Sequence, residues 1–198
     1  YSDHGVLVGR YHTVLVHYYL TGARTLSNAQ ADDLHNQLVE LATPWDGRLL
    51  GVLSDAVSEG RAEELFSRYS NAFEADYQAW ATPKRALRDI SHLELLSKER
   101  PVTATVFKYK NELYLRLYQV GNIILSDALP VLDNFGFVVI DQFADHVSPA
   151  GRGSLDMDTF RLQGAFGLEP EQILERSEYL VEALEAVFTG QCLDDRLN

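Results

Sequence analysis

The side chains able to do chemistry in this sequence are thinly spread. Six histidines, His4, His12, His17, His35, His92 and His146, stand at spacings that match no metal-ligand pattern with a cysteine or carboxylate, and no H-E-x-x-H occurs. No bound metal is expected. Asp156 and Asp158 flank Met157 in a stretch that reads as a loop, which brings calcium to mind, but the ligand ladder and following Glu of an EF-hand are missing. Solvated loop charge is the expectation there. The single Cys192 has no His or basic neighbour to stabilise a thiolate and reads as a buried or idle thiol. No nucleophile-base pair can be assembled, no catalytic lysine cluster is evident, and no G-x-G-x-x-G follows a strand. The sequence therefore predicts no catalytic and no cofactor-binding residue. Ser126 and Asp127 stand where either can cap a helix.

Charge and composition narrow the partners. The 198 residues carry a net charge of −12, divided as −4 over residues 1–100 and −8 over residues 101–198. Phosphate-backbone binding needs clustered Lys and Arg, and the one modest cluster, Lys84, Arg85 and Arg88, reads as a solvated helix face. Nucleic acid is excluded as an expected partner. No apolar run approaches the roughly 20 residues of a membrane helix, and no signal segment opens the chain. A soluble, cytoplasmic protein is expected, and the lone cysteine fits a reducing compartment. The first residue is not Met and the last helix meets no stop signal before Asn198, so the chain reads as an excerpt of a longer polypeptide.

The elements that must position these groups show in the hydrophobic periodicity. Residues 6–20 are β-branched and aromatic, with Gly9 as a bulge or break, and residues 21–24 read as a turn. Ser27 and Gln30 have capping-box spacing ahead of a stripe of Ala31, Leu34, Leu38 and Leu41 that Pro44 ends. From residue 45 to 77 the pattern stays helical, with Gly60 as a break. Thr82-Pro83 then starts a helix whose buried stripe is Ala86, Leu87, Ile90, Leu93 and Leu96. Residues 102–109 and 112–119 form a hairpin across Lys110-Asn111.

In the second of these strands Leu113, Leu115 and Leu117 alternate with Tyr114, Arg116 and Tyr118, so one side is buried and the other stays polar. If Asp127 caps the next helix, Pro130 falls at its third position, and Gly136 gives the freedom its end requires. Residues 137–140 are continuously apolar, as in a strand covered on both faces. Residues 143–158 read as an exposed loop, residues 159–166 as a fourth strand, and residues 170–188 as one amphipathic helix with Glu178, Glu182 and Glu185 outward. The strands at 112–119 and 137–143 are expected side by side. The result is α+β: an antiparallel sheet of pattern ββαββα with helices on one face, plus a helical segment.

The run YQVGNIILSDALPVLDNFGFVVID, residues 118–141, resembles an ACT-type (ferredoxin-like) domain. It is closely similar to the corresponding stretch of the large bacterial NAD-specific glutamate dehydrogenases. The resemblance takes in the helical stretch around Trp45-Asp46, residues 69–77 and 86–93, and the later residues 183–190, Asp194-Asp195 and Leu197-Asn198, covering nearly everything from about Tyr11 onward. It implies residues 1–44 completing a preceding ACT-like module, a helical segment at 45–100, and an ACT-like domain at 101–198. It also implies that the parent enzyme oxidatively deaminates L-glutamate to 2-oxoglutarate with NAD in a catalytic domain beyond Asn198, leaving no cofactor in this portion.

Two functions follow from that resemblance. The first is a non-catalytic regulatory and scaffolding role, in which the chain meets other domains of its own polypeptide and neighbouring subunits of a homo-oligomer. Edge strands at Val102–Tyr109 or 159–166 would extend the sheet. The second is allosteric sensing of a free amino acid by Gln119, Gly121, Asn122, Ile123, Ser126 and Asp127. There, N–H groups at the helix start near Ala128 would receive a carboxylate while Asp127 or Asn122 meets the ammonium group. The loop departs from the glycine-rich turn of many ligand-binding ACT domains. Ile123 and Ile124 are expected to fill the space and favour a purely structural turn.

Overall fold

The computed structural model describes residues 3–8, 14–19, 27–121, 124–164 and 169–192. The chain divides into two compact units, residues 1–43 and 44–198. In the first, strands β1 (Asp3–Val8) and β2 (Val14–Tyr19) pair antiparallel from Asp3↔Tyr19 to Val8↔Val14, so the apolar run at 6–20 is two strands instead of one. Gly9 and the turn expected at 21–24 lie outside the described residues. Helix α1 (Asn28–Ala42) begins with the expected capping box. Ser27 Oγ accepts the Gln30 N–H at 3.3 Å, and Gln30 Oε1 accepts the Ser27 N–H at 3.0 Å.

The second unit opens with helices α2 (Trp45–Ala56), α3 (Glu59–Tyr69), α4 (Ala75–Trp80) and α5 (Pro83–Leu93). The break between the first two falls at Val57-Ser58, and Gly60 is inside α3, where its flexibility is tolerated one residue from the helix start. Thr82 Oγ1 accepts the Arg85 N–H at 3.3 Å and Pro83 occupies the first helical position, as the sequence predicts. Leu49, Leu53, Tyr69, Tyr77, Ile90 and Leu93 form a closed core, and Trp45 Nε1–H donates to the Ala81 carbonyl at 2.9 Å.

Strands β3 (Val102–Tyr109) and β4 (Glu112–Val120) form the predicted hairpin. Lys110 and Asn111 both adopt positive φ, 47° and 68°, the backbone that matches a two-residue turn to strand twist. Helix α6 (Leu125–Asn134) follows, then β5 (Phe137–Val147), β6 (Leu155–Gly164), and the helices α7 (Pro170–Leu174) and α8 (Ser177–Phe188). All neighbours are antiparallel in the order β3-β4-β6-β5.

The sheet is therefore α+β and ACT-like, but several local expectations are corrected. Strands β4 and β5 are not neighbours. They run parallel with β6 inserted between them, because a strand-helix-strand crossover leaves room for the returning strand of the β5–β6 hairpin. β6 is interior, so residues 159–164 supply no sheet edge, and 165–166 lie outside the described residues. β3 is an edge, as expected of Val102–Tyr109, and β5 is the other. Val138 and Ile140 are about half exposed, so residues 137–140 are not covered on both faces. A register shift between Val139 and Asp141 explains the unbroken apolar run, since Ile140 is the extra residue. The expected loop at 143–158 shrinks to residues 148–154, with strand on either side. The long last helix breaks at Glu175-Arg176 into α7 and α8.

Both faces of the sheet are used. Leu113, Leu115, Leu117, Phe160 and Leu162 meet α6 and α8 through Ala128, Leu132 and Leu184. On the opposite face Tyr118, Val147, Leu155 and Met157 join the core of the helical segment, so α2 to α5 and the sheet share one interior. At the β3 rim, Glu185 of α8 is turned inward, against expectation. Its Oε1 accepts the Ala104 N–H at 2.8 Å, and its Oε2 lies 2.9 Å from Arg100.

Candidate functional site

The loop singled out in the sequence joins β4 to α6. Gln119, half-buried, pairs across the sheet with Val102 and Asp156. Gly121 takes φ +80°, which a side chain would strain, and donates its N–H to the Ser154 carbonyl at 3.2 Å. Asn122 and Ile123 lie outside the described residues. Ile124 is 59% exposed, so it does not fill the space beside the loop.

Neither Ser126 nor Asp127 caps α6. The N-cap is Ile124, no side chain caps it, and both polar residues sit exposed in the first turn with Ser126 Oγ 3.3 Å from Asp127 Oδ1. Pro130 is consequently the sixth residue of the helix instead of the third. Gly136, at φ +79°, ends the helix as predicted.

The polar chemistry that the sequence did not reveal lies on the other face of β4. Arg116, between Leu115 and Leu117, is 1% exposed, and Asp89 is 3% exposed on the apolar stripe of α5. Arg116 Nη1 lies 2.6 Å from Asp89 Oδ2, while its Nε donates to Thr159 Oγ1 at 2.8 Å. Tyr77 donates to the same carboxylate oxygen at 2.6 Å and Tyr118 to the other at 2.8 Å. Burial, reinforced by the Asp89 charge, raises both phenols well above their ordinary range, so they remain donors. Burial opposes the Arg116 charge, but Asp89 and Tyr118 outweigh it and the guanidinium is held charged. Arg85 completes the group, stacked between Trp80 at 4.7 Å and Phe107 at 5.4 Å, so the expected basic face of α5 is only partly solvated. This constellation ties helix to strand. It offers no nucleophile, and its carboxylate is saturated with donors.

A second hub stands at the end of α5. Glu94 accepts from Arg61 at 2.6 Å, Arg68 at 2.6 Å, Tyr69 at 2.9 Å and Arg152 at 3.3 Å. Arg152, in the turn before β6, also donates to the carbonyls of Leu93 and Leu96. Burial works against ionisation of Glu94, yet the hydrogen bonds from Arg68, Tyr69 and Arg61 prevail and its carboxyl is held below the usual range.

Asp156 and Asp158 are not loop residues. They lie on interior strand β6, almost fully buried, with Asp158 bonded to Gln142 and Asp156 to His146. Among the described residues no group of three potential metal ligands occurs. His146 Nδ1 is 2.6 Å from Asp156 Oδ1, and that hydrogen bond together with the Asp156 charge raises the imidazole above its ordinary value. A raised folded-state value means the pair stabilises the fold below about pH 6.5, and that stability is lost as pH climbs through the folded-state value. Wild-type chain is expected to melt higher than His146→Gln at about pH 5.5 and equally at about pH 8.5, as thermal denaturation would read.

Cys192 is free and exposed, which removes the buried alternative. A cleft of about 420 Å³ lies at the far end of the sheet from the β4–α6 loop, lined by Glu112, Leu113, Ile140, Arg161, Pro170 and Ile173 among others. Arg161 is already engaged there by Glu112 at 2.6 Å and by Asp141. Among the described residues no helix is long and apolar enough to cross a membrane.

Comparison with known proteins agrees with this geometry. Residues 52–96 match the family model described as glutamate dehydrogenase, helical motif 2, and residues 92–173 match glutamate dehydrogenase, ACT3 domain. The chain is 28% identical over 170 residues to the NAD-specific glutamate dehydrogenase of Halomonas elongata and 23% identical over 170 residues to that of Pseudomonas aeruginosa. Each alignment takes in 83% of this chain and 10% of the relative. The Mycobacterium tuberculosis protein of the same name is 30% identical over 121 residues, covering 59% of this chain and 7% of its own. The chain thus spans about a tenth of the length of the curated relatives it matches. Strand order, helix placement and both matched segments agree: residues 52–96 and 92–173 carry the helical motif 2 and the ACT3 domain by which glutamate dehydrogenases are described, and the chain is similar to NAD-specific glutamate dehydrogenases.

Proposed function

We propose that these 198 residues are a non-catalytic, regulatory and scaffolding portion of an NAD-dependent glutamate dehydrogenase, holding neighbouring domains or subunits in fixed positions. The observation that carries this reading is the buried Asp89–Arg116 bridge. It joins the helical segment to the ACT-like sheet across one shared interior, the rigidity that a positioning role requires. Oxidation of L-glutamate to 2-oxoglutarate and the binding of NAD would belong to other parts of the parent polypeptide. Residues 1–43 support the same picture. A two-stranded hairpin is marginal by itself, and α1 leaves Leu34, Leu38 and Val39 exposed, as expected of a piece completed by a further ACT-like module.

The contact surface we assign is the edge of β5 up to His146, where Val138, Ile140 and Phe143 are exposed; at its end Val147 is already bridged by Phe73. Hydrogen exchange tests it. In a full-length dehydrogenase containing this segment, the amides of residues 137–146 should exchange at least about tenfold more slowly than in the 198-residue chain. Equal rates would remove the edge as a contact. The isolated chain should also show no glutamate-dependent reduction of NAD.

The amino-acid-sensing alternative is favoured by one feature, the N-terminus of α6 that no side chain caps. Calorimetric titration with a panel of free amino acids decides it: heat abolished by Asp127→Ala supports sensing at residues 119–127, and no heat at millimolar ligand ends it.

A further inference from the structure

Two features on opposite outer surfaces of the 44–198 unit are complementary in shape and charge. The first is a cleft of about 380 Å³ between α2 and α5, floored by Val52, Ala56 and Leu87 and rimmed by Lys84, Arg88 and Asp55. Lys84 and Arg88 are exposed one turn apart on α5, and among the described residues neither enters an ion pair. With Asp55 on the same rim the cleft is left net positive, in a chain of net charge −12.

The second feature is the outer face of α8. Tyr179 is 77% exposed, the most exposed large hydrophobic side chain among the described residues. Glu178 adjoins it, Glu182 lies one turn further along α8, and Glu175 stands across the helix break at the end of α7. All are exposed, and among the described residues all are without an ion pair. Ala183, next along the same face, is small enough to let another surface come close. A lone exposed tyrosine is ordinary. One set in a frame of three free carboxylates has the form of an interface anchor with a charged rim.

We propose that Tyr179 of one copy inserts into the α2–α5 cleft of a second copy, with Glu178 and Glu182 meeting Lys84 and Arg88. Within a single chain the two features cannot meet, because α8 covers one face of the sheet while α2 and α5 belong to the core on the other. The contact is head-to-tail, so each copy offers one ridge and one cleft, and the assembly closes as a ring or extends. Asp55 on the cleft rim opposes the acidic ridge and fixes which side of the cleft the carboxylates approach. The contact is separate from the β5 edge and stands or falls independently of it.

Sedimentation of the 198-residue chain over the micromolar range, at low and high ionic strength, provides the test. The expected result is an average mass that rises with concentration and falls with salt. Tyr179→Ala should weaken association at least about tenfold. Lys84→Glu with Arg88→Glu should abolish it, as should Glu178→Lys with Glu182→Lys, and combining the two reversed pairs should restore it. All five positions are exposed, and unchanged far-ultraviolet spectra and melting temperatures show that the variants fold. A chain that stays monomeric, an undisturbed Tyr179→Ala variant, or a combined variant without rescue would each overturn the proposal. Association lost with Val138→Lys but indifferent to the charge swaps would assign self-assembly to the sheet edge and overturn it equally.

Discussion

Arg116→Met is expected to destabilise the 44–198 unit by about 3–5 kcal/mol, the cost of leaving a buried charge without its partner. Asp89 would keep the hydroxyl donors of Tyr77 and Tyr118 but lose the guanidinium 2.6 Å away, and the nearest remaining cation, Arg85, stands at 4.0 Å. Thr159 Oγ1 would lose its bond to Arg116 Nε as well. The companion change separates the cost of breaking the pair from the worth of having it. In Asp89→Leu/Arg116→Met both charges are gone and the cost of the unpaired charge should be recovered, while the buried hydroxyls of Tyr77 and Tyr118, left without their acceptor, keep the double variant below wild type. Urea denaturation of the two single variants and the double variant closes the cycle. A double variant as unstable as the sum of the singles would show that the two residues are not coupled and would contradict the bridge as a stabilising pair.

Phe160→Ala carries a comparable expected loss, about 3–5 kcal/mol, by a different route. Phe160 is fully buried on interior strand β6, facing α6 and α8, where flanking strands limit how far the cavity can collapse. It lies in the sheet-helix core, whereas Leu53 lies in the helical-segment core on the other side. Leu53→Ala should cost about 2–5 kcal/mol. If the shared interior makes residues 44–198 one cooperative body, each variant lowers a single transition followed alike by tryptophan emission and by far-ultraviolet ellipticity. Two separated transitions, with Leu53→Ala moving only one, would contradict that description.

The features legible in the sequence were those that local chemistry specifies. The Lys110-Asn111 turn, the Thr82-Pro83 start of α5, the Ser27/Gln30 box and the stop at Gly136 each depend on a few adjacent residues, and each stands where the spacing places it. Strand neighbours depend on what inserts from elsewhere, so the place of β6 between β4 and β5 could not be read from either strand alone. For the same reason Arg116 and Tyr118 looked like a solvated face. Their burial is supplied by α4 and α5, some thirty to forty residues earlier. A signal was present: an Asp on the apolar stripe of α5 and an Arg between two leucines of a strand are each too costly to bury alone, which makes them candidates for one another. At residues 119–127 only the framework was readable, and the N-cap fell two residues before the first polar candidate.

The inward-turned Glu185 has a consequence for how this protein can and cannot grow. It engages a main-chain donor of β3 while α7 and α8 pack against that strand, so a strand arriving at this margin would have to displace a carboxylate. The β5 margin asks for no such exchange between Phe137 and His146. Strand addition is therefore cheaper on one side of the layer than on the other, and growth by stacking is biased to a single margin.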